Sequence, residues 1–180
     1  NIFNKKNKIF SIGHRNPQGL YINKDKNVVF ETEHGPWGGD EVNIIKENKN
    51  YGWPLRIFGV NYDVHLHRWF FDKSDRTHSG YEKPIMSWVP SIGISNLIQI
   101  KTDYFNYWKD DLIVSSLKDV SLYRLHLDNY KVITIETIYI GQRIRDIIEL
   151  GNGEIVLLTE DPKDWNDKKH FIILNYFKPL

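Results

Sequence analysis

Hydrophobic and polar residues alternate along this chain in short runs that turn-forming residues separate, which is the pattern of β-strands. Three pairs of runs, each joined by a short connection, predict β-hairpins: residues 19–23 with 28–32, 96–100 with 111–116, and 146–150 with 154–159. Further strand-like runs follow these hairpins at residues 42–45, 121–127, 133–140 and 171–174. The pattern therefore predicts an all-β protein.

Repetition of a hairpin with its following strands predicts blades of a β-propeller, each a meander of about four strands. At roughly 40–50 residues per blade, residues 1–180 are expected to form a single domain of about three blades, with an insertion at about residues 56–83. Propellers close with about four to eight blades, so three blades expose strand edges that favour association. A β-sandwich built from the same strands is the alternative.

Composition narrows the class of protein. The net charge is +1 and 41% of residues are hydrophobic, which is typical of a globular domain and argues against nucleic acid or an anionic membrane as partner. No apolar run approaches the roughly 20 residues of a membrane span, and the lack of cysteine excludes disulfides. Because the chain begins with Asn1 and shows no signal peptide, we expect a segment of a longer protein.

Positively charged residues recur at one end of the predicted hairpins. The loop entering the first strand of a hairpin and the loop leaving its second strand lie at the same end, so Arg15, Lys118, Arg143 and Arg145 are expected at one mouth. Arg143 and Arg145 should share one side of a strand, either facing a ligand or paired with Asp146. Cations that converge without matched carboxylates repel each other unless an anion lies between them. The arrangement predicts an anionic ligand.

Six polar, turn-rich motifs occur along the chain. Three lie in its first third: Gly13-His-Arg-Asn-Pro-Gln-Gly19, Glu31-Thr-Glu-His-Gly-Pro-Trp-Gly-Gly-Asp-Glu41 and Asn50-Tyr-Gly-Trp-Pro54. Three follow later: Met86-Ser-Trp-Val-Pro-Ser91, Ser116-Leu-Lys-Asp-Val-Ser-Leu-Tyr-Arg124 and Arg143-Ile-Arg-Asp146. In this order they resemble motifs of the soluble glucose/sorbosone (aldose sugar) dehydrogenases, which use pyrroloquinoline quinone (PQQ) and calcium. The resemblance runs from about residue 12 to about residue 161 and implies the C-terminal half of a six-bladed β-propeller.

The resemblance also implies a cofactor site. Residues matching the family's PQQ contacts are Arg15, Asn16, Ser91, Lys118, Arg143 and Arg145. PQQ is a planar quinone with three carboxylates, which suits the side chains of arginine and lysine. Trp88 matches a residue that lines the sugar pocket, where an aromatic face suits a pyranose ring.

Two calcium sites are implied in the same way. The backbone carbonyls of Gly35 and Pro36 match the ligands of the calcium that polarises the quinone, and hard oxygen donors suit Ca²⁺. Asp40, Glu41 and Tyr51 resemble a second, structural calcium site. Trp37 departs from the arginine that is commoner after the Gly-Pro pair.

No catalytic residue is identified in the chain. In the family that it resembles, a histidine general base lies on an earlier blade, and no motif here matches it. His14 lies in the right loop but matches a position without that role. His65 and His67 have a spacing that could bind a metal, although exposed histidines in a polar insertion are the simpler interpretation.

The main hypothesis is the cofactor-binding half of a PQQ- and calcium-dependent enzyme that oxidises aldose sugars to lactones, located in the periplasm or secreted. Its expected partners are the sugar and either the missing N-terminal half of the propeller or another chain. One alternative is a non-catalytic propeller module that binds a glycan or a protein partner. Another is a broken gene product without a stable fold.

Overall fold

The computed structural model describes residues 8–59, 77–160 and 169–174. Its regular structure in those residues consists of β-strands and a 3₁₀ turn at Asn106–Trp108. The strands are β1 Ser11–Ile12, β2 Pro17–Asn23, β3 Val28–Glu33, β4 Asp40–Ile45, β5 Lys49–Asn50, β6 Met86–Trp88, β7 Ile94–Gln99, β8 Leu112–Ser116, β9 Ser121–Asp128, β10 Lys131–Tyr139, β11 Arg143–Glu149, β12 Ile155–Glu160 and β13 Lys169–Leu174. The expected all-β class is therefore confirmed.

Strands that follow one another along the chain pair in three antiparallel sheets. Their orders are β2-β3-β4-β6, β7-β8-β9-β10 and β11-β12-β13. Each sheet is a meander, so the chain forms part of a β-propeller, as the repeated hairpins predict. A short parallel pair, β1 with β5, was not predicted from the sequence.

The middle sheet, β7-β8-β9-β10, packs against the first sheet on one face and against the third sheet on the other. Leu97 and Val114 pack in one apolar cluster with the first sheet, whereas their neighbours Ile98 and Ile113 pack in a second cluster with the third sheet. Because successive side chains of a strand point to opposite faces, one strand sequence can supply both clusters. The three sheets are therefore stacked face to face, as blades are.

Buried hydroxyl groups also join the blades. Thr32 in β3 donates from Oγ1 to the carbonyl oxygen of Ser95 at 2.6 Å, and Ser95 in β7 donates from Oγ to the carbonyl oxygen of Ile144 in β11 at 2.6 Å. Ser95 Oγ also lies 2.8 Å from Ser115 Oγ. These contacts hold the three sheets in register at the level where their loops meet.

The predicted insertion begins and ends beside the first sheet. The rings of Phe58 and His78 stack at 4.7 Å between centroids, which brings the two described flanks together. Residues 60–76, including the histidine pair at 65 and 67, lie outside the described residues, as do residues 161–168 and 175–180. The described residues contain no helix long and apolar enough to cross a membrane.

Candidate functional site

An open depression of about 260 Å³ lies where the loop before β2 meets the loops that follow β3 and β5. It is lined by Gly13, Arg15, Glu33, His34, Gly35, Gly39, Glu41, Tyr51, Trp53, Arg56 and Ile57. These residues come from all three of the early turn-rich motifs. The fold thus brings these motifs to one place.

Arg15 is fixed at the edge of this depression. Its backbone N–H and that of Asn16 donate to Glu33 Oε2 at 2.5 and 3.3 Å. Its side chain donates from Nη1 to the carbonyl oxygen of His34 at 3.0 Å, and its guanidinium lies 5.3 Å from the centre of the Trp53 ring. Glu33 therefore positions the loop, while the Arg15 side chain spans to the loop that follows β3.

The loop at residues 35–39 is compact. A β-carbon on Gly35 would lie 2.1 Å from the carbonyl oxygen of Gly38, so only glycine allows this approach. The Asp40 carboxylate closes the loop, because Oδ1 accepts from the Gly35 N–H at 3.2 Å and Oδ2 accepts from Ser91 Oγ at 2.6 Å and from the Ile94 N–H at 3.0 Å. Asp40 thus ties this loop to the second sheet.

Asp40 is held as a carboxylate. Burial would raise its pKa, but hydrogen bonds from His34, Ser91 and the Ile94 N–H outweigh burial and lower the pKa below its ordinary value. A lowered pKa favours the charged form. The loop is therefore held by charge-assisted hydrogen bonds, which are stronger than neutral ones.

Lys118 reaches the same loop system from the second sheet. Its Nζ donates to the carbonyl oxygen of Ser91 at 3.0 Å. Gly93 has a φ of +63°, and a β-carbon there would lie 2.9 Å from the Lys118 backbone nitrogen, so glycine allows the two loops to touch. We call the residues joined by these contacts, Arg15, Gly35, Asp40, Ser91 and Lys118, the cationic rim.

Arg143 and Arg145 have a partner other than the ligand or Asp146 that the sequence suggested. Both pair with Glu160, at 3.6 Å from Arg143 Nε and 2.8 Å from Arg145 Nε. Asp146, the partner considered from the sequence, instead accepts from Asn96 Nδ2 at 2.5 Å. The prediction that Arg143 and Arg145 lack matched carboxylates is therefore wrong, because Glu160 pairs with both.

The structure does not bring Asp40, Glu41 and Tyr51 to one ion through their side chains. Asp40 and Glu41 are neighbours in β4 and point to opposite faces. The Asp40 oxygens accept from loop donors, and the Tyr51 hydroxyl donates to the carbonyl oxygen of Ile44 at 2.5 Å and accepts from the Lys46 N–H at 2.9 Å. Glu41 in turn lies 3.6 Å from His78 Nε2 and 3.4 Å from Asn43 Nδ2, so the three side chains have separate partners among the described residues.

Trp88 lies in the core. Only 9% of it is exposed, and its ring packs edge-on against Tyr123 with 5.4 Å between centroids. This ring offers little open surface to a sugar among the described residues, and the sugar contact stays a prediction. Burial against a tyrosine explains the tryptophan by packing alone.

A buried acidic cluster is the feature that sequence reasoning missed. The register of β3 with β4 places Glu31 opposite Asn43 and Glu33 opposite Glu41, so that these four side chains share one face. All four residues are buried. Asn43 Nδ2 lies within hydrogen-bonding distance of all three carboxylates, at 3.1 Å from Glu31, 3.1 Å from Glu33 and 3.4 Å from Glu41. The sequence signal that could have revealed this cluster is the spacing of Glu31 and Glu33, two residues apart in the strand β3.

Burial raises the pKa values of two of these carboxyl groups. The pKa of Glu31 rises to about 9, first because of desolvation and then because of the charge of Glu33. The pKa of Glu41 rises to about 8 for the same two reasons. Hydrogen bonds from Asn43 oppose both shifts. The described salt bridges of Glu33 and Glu41 are with His14 and His78.

Comparison of the sequence with known proteins identifies the family to which the chain is similar. The family described as Glucose / Sorbosone dehydrogenase matches residues 1–166. The aldose sugar dehydrogenase YliI of Escherichia coli (strain K12) is 36% identical over 155 residues, which are 85% of this chain and 41% of that protein. The chain therefore spans less than half the length of this relative.

Solved structures of sugar dehydrogenases also superpose on most of this chain. A crystal structure of a glucose dehydrogenase is 34% identical and superposes with a TM-score of 0.82, over 96% of this chain and 48% of that one. A PQQ-bound aldose sugar dehydrogenase from Streptomyces coelicolor shares the fold, with a TM-score of 0.66 and 22% identity over 93% of this chain and 45% of that one.

Proposed function

Because the chain belongs to the glucose/sorbosone dehydrogenase family, we propose that it supplies the cofactor-binding half of a sugar dehydrogenase that uses PQQ and calcium. The observation that carries this proposal is the cationic rim. Arg15 and Lys118 come from different sheets, yet backbone and carboxylate contacts through Gly35, Asp40 and Ser91 link them. The substrate class is an aldose, as in the name of the Escherichia coli relative.

The donors of the rim suit an acidic, planar molecule. Lys118 makes no salt bridge with any described residue, and its Nζ donates to the neutral backbone carbonyl of Ser91. Arg15 donates to the backbone carbonyl of His34 and lies against the indole ring of Trp53. An ammonium and a guanidinium in such surroundings gain strong hydrogen bonds when a carboxylate arrives. Asn16 and the Ser91 hydroxyl add polar groups beside them.

Calcium would be held by the loop at residues 35–39, which contributes Gly35 to the cationic rim. The backbone carbonyls of Gly35 and Pro36 are hard oxygen donors of the kind that Ca²⁺ takes. The tight approach of Gly35 to Gly38 and the hydrogen bonds to Asp40 fix the shape of this loop before any ion arrives. A preformed loop lowers the ordering cost of binding.

When bound, PQQ would supply the hydride acceptor for oxidation of an aldose to a lactone. The residues of this chain act on binding and orientation. Arg15 and Lys118 would hold acidic groups from two sides, and Asp40 would keep their loops together. The proton of the sugar hydroxyl needs a base that we do not assign to this chain. A periplasmic or secreted location is part of the same proposal.

Arg143 and Arg145 have a smaller role in this proposal than the sequence suggests. Each arginine shares the carboxylate of Glu160. At Arg143 and Arg145, a ligand carboxylate must compete with the charged carboxylate of Glu160. At Lys118 it competes only with the neutral carbonyl oxygen of Ser91 among the described contacts. We therefore expect the loss of Lys118 to weaken PQQ binding more than the loss of Arg145.

Titration of the 180-residue chain with PQQ in the presence of Ca²⁺, followed by the absorbance of the quinone, tests the proposal. We expect saturable binding that weakens at least tenfold in the Arg15→Ala and Lys118→Ala variants, because each removes a charged hydrogen-bond donor worth about 1.5–3 kcal/mol. Lys131→Ala, an exposed lysine at the start of β10, is the matched control and should bind as the parent does.

Two results would contradict the proposal. One is the absence of saturable PQQ binding by the folded chain. The other is binding that the Arg15 and Lys118 variants retain while the Lys131 variant loses it, which would locate the quinone on another surface. Circular dichroism of each variant shows whether the sheets are intact.

A further inference from the structure

The buried acidic cluster contains a group of atoms with the arrangement of metal ligands. One ligand atom each from His14, Glu31 and Glu33 lies within 4.8 Å of the other two. Glu31 and Glu33 share a face of β3, and His14 reaches them from the loop before β2. This group lies on the opposite face of the first sheet's strands from Asp40, and it does not include the Gly35 or Pro36 carbonyls.

Two of these side chains have atoms that no described residue satisfies. Glu31 is only 3% exposed, and its Oε1 accepts no hydrogen bond from the described residues. His14 Nδ1 is also buried without a hydrogen bond in that part of the chain, and it lies 3.5 Å from Glu33 Oε1. A buried carboxylate oxygen without a donor is costly unless a cation or a proton compensates it.

The strand register makes this cost larger. Glu33 lies directly opposite Glu41, and like charges at opposed positions of an antiparallel pair repel each other. No salt bridge joins these three glutamates to a described lysine or arginine. A folded sheet that carries three carboxyl groups on one buried face therefore needs either a cation among them or protons on some of them.

We propose that a divalent cation binds between His14, Glu31 and Glu33, as a site separate from the calcium site proposed at the Gly35–Pro36 carbonyls. Carboxylate oxygens favour Ca²⁺ and Mn²⁺, and the imidazole nitrogen is a ligand that Mn²⁺ accepts more readily than Ca²⁺ does. The donor set is thus that of a hard divalent cation with one nitrogen ligand.

Neighbouring groups orient the ligands as second-shell partners do in metal sites. His14 Nε2 lies 2.9 Å from Ser11 Oγ, and when Nε2 donates to this hydroxyl, Nδ1 offers its lone pair toward Glu33. The imidazole also stacks on Tyr51, with 4.6 Å between centroids. Asn43 Nδ2 donates to Glu31 and Glu33 and fixes their carboxylates.

Occupancy of this site would also order the cationic rim. Glu33 Oε2 accepts from the backbone N–H groups of Arg15 and Asn16. Glu33 Oε1 faces His14. A cation on Glu33 would therefore connect the acidic cluster to the loop that carries Arg15, even when no PQQ is present.

The test is calorimetric titration of the chain, freed of metal with EDTA and without PQQ, with Mn²⁺ and separately with Ca²⁺. We expect Glu31→Gln, which keeps the size of the side chain, to weaken cation binding at least tenfold. Glu136→Gln, an exposed glutamate paired with Arg124, is the matched control and should bind the cation as the parent does. The ratio of the Mn²⁺ and Ca²⁺ affinities identifies the preferred ion.

A spectroscopic readout separates ligation from a structural effect. Bound Mn²⁺ should show the pulsed electron paramagnetic resonance signal of a coordinated ¹⁴N, and His14→Gln should abolish this signal. This variant also carries the test if Glu31→Gln does not fold. Binding by Glu31→Gln within twofold of the parent, or a parent that binds neither cation, would overturn the proposal and assign a proton to Glu31. Because no PQQ is added, failure here leaves the proposed function standing.

Discussion

At the scale of single residues, Asp40 fixes the shape of the rim through its hydrogen bonds. It is fully buried, and its two oxygens accept from the Gly35 N–H, the Ser91 hydroxyl and the Ile94 N–H. An asparagine has the same size, but its amide group would turn N–H bonds toward one of these donors. The charge and the number of acceptors at this position therefore matter more than its volume.

We predict that Asp40→Asn lowers the free energy of unfolding by about 1–3 kcal/mol, the usual cost of leaving a buried donor unsatisfied. Urea denaturation followed by tryptophan fluorescence measures this change. Asp25→Asn alters an exposed carboxylate in the turn between β2 and β3 and should change stability by less than about 0.5 kcal/mol. Equal stability of the two variants would show that Asp40 does not hold the loop.

Gly13 has a comparable influence on the depression beneath the rim. Its φ is +82°, and a β-carbon there would lie 2.1 Å from Asn50 Oδ1 and 2.8 Å from the Tyr51 N–H nitrogen. The carbonyl oxygen of Gly13 also accepts from the Trp53 N–H at 2.9 Å. Any side chain at this position must separate the loop before β2 from the loop after β5.

We predict that Gly13→Ala lowers the free energy of unfolding by roughly 1–3 kcal/mol, through backbone strain and the steric clash. It should also weaken PQQ binding, because Arg15 moves with its loop. Gly151→Ala is the control, since a β-carbon there meets no atom within 4 Å. A Gly13→Ala protein as stable as the Gly151→Ala protein would contradict the described approach of the two loops.

At the scale of strands and sheets, Ser95 is the contact point of all three blades. It accepts from Thr32 through its carbonyl oxygen, and its hydroxyl reaches Ser115 and the carbonyl oxygen of Ile144. The residue is 5% exposed, so water does not replace these contacts easily. Blade contacts in this chain thus combine apolar packing with a small polar network.

Ser95→Ala should therefore lower the free energy of unfolding by about 1–3 kcal/mol, because the Ile144 carbonyl loses its buried donor. Hydrogen exchange measured by mass spectrometry should show faster exchange in β11 and β7. Ser79→Ala, at an exposed position before β6, provides the comparison and should leave both measurements unchanged. Unaltered exchange in the Ser95 variant would mean that packing alone holds the blades.

The hairpins could be predicted from the sequence because their signals are local. Each strand pair is marked by an apolar run of the right period and by a nearby turn, as at Gly153 between β11 and β12. The strand β6 was not predicted, because more than 40 residues separate it from its partner β4 in the chain. Trp88 was assigned to a sugar contact through the family resemblance, and the packing of its ring against Tyr123 became visible only in the structure.

The candidate site also has a part that could be predicted from the sequence and a part that could not. The family motifs place Arg15, Ser91 and Lys118 in loops, and the structure connects these loops. The acidic cluster depends on the register of β3 with β4, which sets Glu33 opposite Glu41. Register follows from the turn and from packing, so four polar side chains in two strands read from the sequence alone as solvent-facing positions. The pairing of Arg143 and Arg145 with Glu160 also depends on a strand register, that of β11 with β12.

At the scale of the whole molecule, the described surface of the first sheet is apolar along one edge. Leu20 and Ile22 share a face of β2 and are 63% and 51% exposed. Ile9, Phe10 and Ile12 are exposed as well. Apolar surface of this kind marks a site of association, and a net charge of +1 gives little repulsion between copies.

We predict that the chain associates with itself as its concentration rises, and that the double variant Leu20→Lys with Ile22→Lys shifts it toward the monomer. Sedimentation velocity over a range of concentrations measures this change. Ile148→Lys introduces the same charge at an exposed isoleucine of β11 and serves as the control. If all three proteins associate equally, the β2 face is not the contact.

A crystal structure of the chain grown with PQQ and Ca²⁺ would show whether the cationic rim holds the quinone. We expect a planar, acidic molecule within hydrogen-bond distance of both Arg15 and Lys118, with a calcium ion beside the carbonyl oxygens of Gly35 and Pro36. A quinone bound on another surface, with Lys118 still donating only to Ser91, would contradict this expectation.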